Sequence, residues 1–421
     1  MIPVLRACFT RRRTRPPTAP LPTLDGVTGR PDLRPAARLL VEAVAPSRPD
    51  GGAGPDEVAR LAGEVDVDVV ARAAGQHRVL PALARLLAEQ PTTPDAWRPA
   101  LRRARRQQAL QHLGTVAEAV RLGKVLDDAG VPWLVAKGPV AAADLWPAPD
   151  LRQYYDLDLY VPRRAFADAV VALEEAGCEG VDRNWPLMLA EMRAEYAVRA
   201  PQGTHVDLHW DYAVPAALRA RFRTDLDGMV ARRRRVDVGG GQVLWCPDPA
   251  DTVVLLAFHA AQASANRLVW LADVRFALLA AGAEPGALAD VVARAAAGRV
   301  QRPVALVVAR AARVLGLPAD VAASLAPLVR RAGVLGRAAE AQDARAPFPW
   351  LPGDPHRGGA LYAAARPRLV TTAGALVSGA VRTRRIEKQV RLSPAAAEKE
   401  LRRDVPDGTA RREYLRRSVG G

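Results

Sequence analysis

A chain of 421 residues is long enough for two or three units that each bury a core of their own, so it needs no disulfide framework to fold. The three cysteines, Cys8, Cys178 and Cys246, lie far apart and form no C-x-x-C pair, which argues against zinc or thiol redox chemistry and fits a reducing cytoplasm. The formal charge of +15 would concentrate polyanions at the surface, yet it is almost all arginine and aromatic residues are only 5%, so stacking platforms for single-stranded nucleic acid are scarce.

Residues 1–32 are rich in Pro and Arg without apolar periodicity and read as a disordered leader; the arginines follow the apolar residues, the reverse of a secretory signal. An N-terminal helical region spans 33–130. Ala36–Ala45 and Asp56–Ala62 carry apolar residues at helical spacing, Val67–Leu87 reads as a helical pair broken near Gly75 and Pro81, and Leu101–Ala129 as one long helix ending at Gly130. At Val131 the period changes. The run VPWLVAK predicts a buried strand, Gly138–Leu145 a helix, and Tyr155–Val161 a strictly alternating strand stopped by Pro162. Arg163–Ala176 puts Phe166, Ala169, Val170 and Leu173 on one stripe, with Gly177 as C-cap. Glu195–Arg199 and Thr204–Trp210 flank the turn Pro201-Gln202-Gly203, and Val236–Cys246 predicts a second hairpin. These segments make 131–246 a small mixed α/β core.

From 247 to 345 the pattern is helical again, with successive helices expected over 251–264, 268–281, 285–297, 303–315 and 318–332. Residues 346–421 read as a weakly structured basic tail that includes Arg382, Arg384, Arg385, Arg402, Arg403, Arg411 and Arg412. No stretch reaches the roughly 20 apolar residues of a membrane span; Leu369–Val381 is too short. The fold class is therefore α+β, a small mixed sheet between an N-terminal and a C-terminal helical region.

The chemistry gathers on the strands. In Tyr155-Asp156-Leu157-Asp158-Leu159-Tyr160-Val161 a period of two puts Asp156 and Asp158 on one face and Leu157, Leu159 and Val161 on the other. Two neighbouring carboxylates repel, and such a pair persists where a cation neutralises it; hard oxygen ligands suit Mg²⁺ or Mn²⁺. His205-Val206-Asp207-Leu208-His209 repeats the pattern, with Asp207 sharing a face with His205 and His209. If the two strands are neighbours, about 4.8 Å apart, the three carboxylates converge on a spot able to hold two ions. Lys137-Gly138 sits where the first strand turns into a helix, and Arg152 precedes the acidic strand; both are placed to meet phosphates. Each motif alone has a plain structural reading, as an exposed strand face or a helix start; their conjunction is what points to a site.

These stretches resemble the uncharacterised nucleotidyltransferase family of bacterial proteins, within the polymerase-beta-like superfamily. The resemblance runs from roughly Val67 to Leu279 and rests on Gln76-His77-Arg78-Val79-Leu80-Pro81, Leu134 to Gly138, Leu145-Trp146-Pro147, Arg152, the two acidic strands, His259, and Arg267 to Asp273. It implies a catalytic D-x-D at Asp156 and Asp158 and a third acid at Asp207, which together hold the metal. It further implies Mg²⁺-assisted transfer of a nucleoside monophosphate from NTP to an acceptor, with loss of pyrophosphate. Lys137, Gly138, Arg152, His209, His259 and Arg267 are the residues expected around the nucleotide or acceptor, and Trp270 and Asp273 are further pocket candidates. The chain departs from the superfamily pattern at Pro139, which has no amide to donate where the usual motif has Gly or Ser. The acceptor is left open among a small molecule, a peptide or protein, and RNA. Two other readings stand beside the enzyme: an inactive nucleotidyltransferase fold that binds nucleic acid or a partner, and a toxin of the AbiE type acting on tRNA.

Overall fold

The computed structural model describes residues 33–45, 51–88, 90, 93–95, 97–354 and 399–420, and in it helices precede and follow two small sheets. The chain opens with α1 (Pro35–Val44), α2 (Pro55–Gly63), α3 (Val67–Gln76), α4 (Leu80–Ala88) and the long α5 (Arg98–Asp128). Pro35 and Pro55 stand at the first helical position, where no amide partner is needed, and Asp66 caps α3 by accepting from the amides of Asp68 and Val69. The break expected near Gly75 and Pro81 falls between them, where α3 ends at Gln76 and α4 starts at Leu80 with Pro81 in its first turn.

Then come β1 (Leu134–Val135), α6 (Pro139–Asp144), β2 (Asp156–Tyr160), α7 (Phe166–Glu175), β3 (Glu179–Gly180), α8 (Trp185–Glu191), β4 (Glu195–Arg199) and β5 (His205–His209). Their sheet has the order β1-β2-β5-β4-β3, with β2 and β5 parallel and the other pairs antiparallel. β4 and β5 form the expected hairpin. The chain returns through it to place β5 beside β2, in a register that puts Asp156 opposite His205, Asp158 opposite Asp207 and Tyr160 opposite His209. After α9 (Ala216–Arg219) and α10 (Leu226–Ala231), β6 (Arg234–Asp237) and β7 (Val243–Cys246) make the second hairpin. Helices α11 (Pro249–Gln262), α12 (Leu268–Ala283), α13 (Ala287–Ala297), α14 (Gln301–Leu315), α15 (Ala319–Val329) and α16 (Gly333–Arg345) follow, and α17 (Gly408–Val419) closes the described chain. The short α8, α9 and α10 and the whole of α16 had no counterpart in the sequence reading.

Apolar burial divides into two cores. One joins α1–α4 to α11, α12 and α14, through Leu39, Leu61 and Leu83 on one side and Val253, Leu271 and Val307 on the other. The second lies behind the sheet: Leu157, Leu159, Val206 and Leu208 face Phe166, Leu173 and Tyr414. Each fully buried side chain of this size contributes about 1.5–3 kcal/mol, which fixes the strand register and hence the opposite, polar face.

The tail reading differs from the structure at both described ends. Phe348 and Trp350 are buried in the helical core, and α17 docks on the sheet unit. Tyr414 is fully buried beside Phe166 and Trp185, and its hydroxyl donates to the Arg193 carbonyl at 2.8 Å. Arg163 donates to the carbonyls of Arg417 and Ser418, both at 2.8 Å, and so caps the C-terminal end of the helix. The apolar spacing Ala410, Tyr414, Leu415 carries the signal, diluted by its arginines. Residues 1–32, with Cys8, and 355–398, with Arg382, Arg384, Arg385 and Leu369–Val381, lie outside the described residues. Cys178 and Cys246 are buried free thiols. Among the described residues no helix is long and apolar enough to cross a membrane.

Candidate active site

The polar face of β2 and β5 carries the site. Lys137, just past β1, lies across from β2 because β1 runs antiparallel to it, and its Nζ sits 2.7 Å from Oδ1 of Asp158. The same oxygen accepts from Nε2 of His209 at 3.2 Å. Lys137 also reaches Nδ1 of His259 on α11, at 3.4 Å. On β5, Nε2 of His205 donates to Oδ1 of Asp207 at 3.1 Å. His209 stacks on Tyr160, ring centroids 4.5 Å apart, and turns Nδ1 toward Glu195 of β4 at 3.7 Å, too far for a hydrogen bond.

These neighbours set the protonation. Burial opposes the charge of Asp158, but Lys137 and His209 outweigh it and hold the carboxyl far below the usual range. Burial likewise works against Lys137 and His209, and the surrounding carboxylates overcome it and raise both. Asp207 moves the other way: burial raises it, its bond to His205 pulls it back only in part, and the charges of Glu195 and Asp158 add to the rise. His259, desolvated and beside the Lys137 ammonium, is held well below the ordinary histidine value and is the neutral acceptor of the pair.

A cavity of about 200 Å³ opens on this face. Of the residues expected from sequence, Lys137, Gly138, Arg152, Asp156, Asp158, His259, Arg267 and Trp270 line it, with Arg78 beside them. Asp207 and His209 stand next to Asp158 on the neighbouring strand and do not line the cavity. Two residues sit differently from the phosphate-contact expectation. Arg152 is buried, and its Nε and Nη2 each bond Asp273 at 2.8 Å, while Trp146 donates to the same carboxylate at 2.8 Å. Its charge is neutralised within the protein. Gly138 has φ +57°, and a Cβ there would lie 3.1 Å from the Asp156 carbonyl oxygen, so the glycine lets the turn after β1 close against β2. The helix it precedes is six residues long and starts at Pro139, which offers no amide to a phosphate.

Asp158, Asp207 and His209 each offer one ligand atom, and these atoms lie within 4.8 Å of one another. Two carboxylates and an imidazole fit a divalent cation, and the under-compensated charge of Asp207 fits one as well. Asp156 shares the face but is outside this group. The sequence assigns no role to Glu195, Tyr160 or Arg78: Glu195 is a lone acid at the start of a strand, and only the pairing of β4 with β5 sets it opposite His209.

Among solved structures, the chain is similar to an antigenic nucleotidyltransferase-like protein from Paracoccidioides brasiliensis, with 19% identity over 54% of this chain and 92% of that one and a TM-score of 0.30, a likeness too slight to carry an argument. No curated protein matches. The model of the uncharacterised nucleotidyltransferases matches residues 63–316, a span that contains both acidic strands, the Lys137 turn and helices α11 and α12. That span is more than half of the chain, which therefore belongs to the uncharacterised nucleotidyltransferase family.

Proposed function

We propose that the protein transfers a nucleoside monophosphate from NTP to an acceptor in a metal-dependent reaction, with Asp156, Asp158 and Asp207 as its catalytic acids. The observation that carries this reading is the register of the parallel strands, which sets Asp158 against Asp207 with His209 in reach, beside a cavity bordered by Asp156. Mg²⁺ or Mn²⁺, held by Asp158, Asp207 and Asp156, would supply charge neutralisation for the phosphates. The protein's own groups do the rest. Lys137 and His209 hold the Asp158 carboxylate in one orientation, and Asp207, on the neighbouring strand, takes the proton as the acceptor oxygen bonds to the α-phosphorus and pyrophosphate leaves. His205 stays within 3.1 Å of Asp207 to stabilise its charge. His259, Arg267 and Trp270 wall the cavity on the nucleotide side. A cytoplasmic setting belongs to the same proposal and fits the two buried free thiols.

One observation favours a second reading, a silent nucleotidyltransferase fold that binds nucleic acid or a partner: the Lys137 ammonium already lies on Asp158, where it competes with a cation. The two are separated by incubating the protein with each labelled NTP and Mg²⁺ or Mn²⁺, with and without a cell extract, beside an Asp156→Asn/Asp158→Asn variant. Label transfer with pyrophosphate release that the variant loses supports the enzyme, and the labelled product identifies the acceptor class. No transfer and no NTP binding with metal present moves the silent reading ahead.

A further inference from the structure

Beside the acidic cavity lies a second one of about 420 Å³, lined by Gly75, Gln76, Arg78, Tyr155, Asn266 and Arg267. Arg78 and Arg267 border both, so the two spaces share a wall of two guanidinium groups. Neither arginine has an ion-pair partner among the described residues, in a protein where most buried or half-buried arginines do. Burial and the nearby charge of Arg78 both press on the Arg267 guanidinium, the mark of two like charges held together. Aromatic faces orient them: Arg78 lies 5.2 Å over the Tyr155 ring and Arg267 5.0 Å over Trp270.

The backbone holds this pairing in place. His77, fully buried, accepts from the Leu268 amide on Nδ1 at 3.2 Å, which leaves Nε2 as the donor to the Trp350 carbonyl at 2.8 Å. Its own carbonyl accepts from the Val269 amide at 3.2 Å. His77 thus ties the turn between α3 and α4 to the start of α12, and the residues on either side of the tie are Arg78 and Arg267. Arg78 has φ +55°, a left-handed conformation that a non-glycine residue keeps only when its surroundings impose it.

We propose that Arg78 and Arg267 form a phosphate clamp, which grips the phosphate tail of a nucleotide whose α-phosphate lies at the acidic strands. This rests on the nucleotidyltransferase reading above and adds where the tail is held. The clamp does the work that the end of α6 cannot do with Pro139 at its start and that Arg152 cannot do with its charge on Asp273. Paired guanidinium forks are suited to phosphate oxygens, and the polar Gln76 and Asn266 leave the cavity hospitable to a hydrated polyanion. A phosphate borne by the acceptor has the same chemistry, and the test separates the two sources.

The full-length protein and its Arg78→Gln, Arg267→Gln and Arg267→Lys variants are titrated calorimetrically with inorganic tripolyphosphate, inorganic phosphate, ATP and AMP at fixed salt, after thermal melts confirm that each variant folds. Each glutamine variant is expected to weaken tripolyphosphate and ATP by about tenfold, the loss of one charge-assisted contact, and AMP much less. Arg267→Lys keeps the charge without the fork and gives an intermediate loss, which also serves if the glutamine variants fail to fold. Inorganic phosphate and tripolyphosphate binding lost in the variants with ATP binding unchanged also supports the clamp and assigns it to a phosphorylated acceptor. Tripolyphosphate and phosphate binding equal in wild type and variants, or absent in both, overturns it. If that happens while labelled transfer persists, the clamp alone fails. If the arginines govern tripolyphosphate binding but no NTP is ever transferred, the enzymatic reading fails and the clamp stands.

Discussion

Replacing Asp273 by Asn should destabilise the protein far more than a single hydrogen-bonding side chain suggests. The Asp273 and Arg152 side chains are 1% and 5% exposed, so the pair is dry. Asp273 accepts three bonds of 2.8 Å, two from Arg152 and one from Trp146. Asparagine keeps the shape but removes the charge and turns an NH₂ group toward a guanidinium. An uncompensated buried cation of this kind costs about 3–5 kcal/mol, a large part of the ~5–15 kcal/mol typical of a folded domain. At about 2.1 cal/mol/K per residue a chain of 421 residues has an unfolding entropy of roughly 0.9 kcal/mol/K, so this corresponds to a fall of roughly 3–6 °C in Tm. Urea denaturation followed by far-UV circular dichroism reads the loss, and the double variant Arg152→Met/Asp273→Leu completes a cycle: with both charges gone it should be more stable than Asp273→Asn alone. A loss below about 1 kcal/mol for Asp273→Asn would refute the view that Arg152 is a structural cation. Arg152 would then be free to serve a ligand.

Gly138→Ala is expected to cost about 1–3 kcal/mol, since alanine must hold a positive φ and its Cβ meets the Asp156 carbonyl oxygen at 3.1 Å; an unchanged urea midpoint would show that the turn relaxes freely. Asp182 gives a pH signature. Burial lifts its carboxyl to about 6, the Ala197 amide pulls the other way, and Glu195 adds to the rise. Between the unfolded value near 4 and about 6 the native state therefore binds more protons than the unfolded state, so stability is full below that window and is lost as pH rises through it. The loss approaches ~3 kcal/mol by pH 7, an upper figure from about 1.4 kcal/mol for each of two units. Asp182→Asn should flatten the slope between pH 4 and 7 and leave the variant the more stable at pH 8, and parallel curves for the two proteins would rule the assignment out.

The sequence made the elements of the site legible and left their partners hidden. Strict alternation in 155–161 and 205–209 told which residues share a face, because a half-buried strand can satisfy only one pattern. Nothing local says that β2 and β5 are neighbours, since their parallel pairing depends on a hairpin and helices that intervene. The roles of Arg152 and Arg78 were obscured for the same reason. By sequence Arg152 reads as a phosphate ligand, although Asp273, 121 residues away, neutralises it, and Arg78 belongs to a motif of the resemblance but has no role of its own until His77 ties its turn to α12. The final helix is hidden because the four arginines in its span dilute the spacing of Ala410, Tyr414 and Leu415.

That final helix has a consequence for synthesis on the ribosome. The hydrophobic layer behind the sheet is assembled from β2 and β5 and from Tyr414 and Leu415, which are made about 200 residues later. Throughout translation of the helices from α11 to α16, Phe166 and Trp185 lack the ring that covers them. The nascent sheet unit therefore spends that interval with an apolar back that α7 covers only in part, a stage at which chaperone holding or aggregation competes with folding.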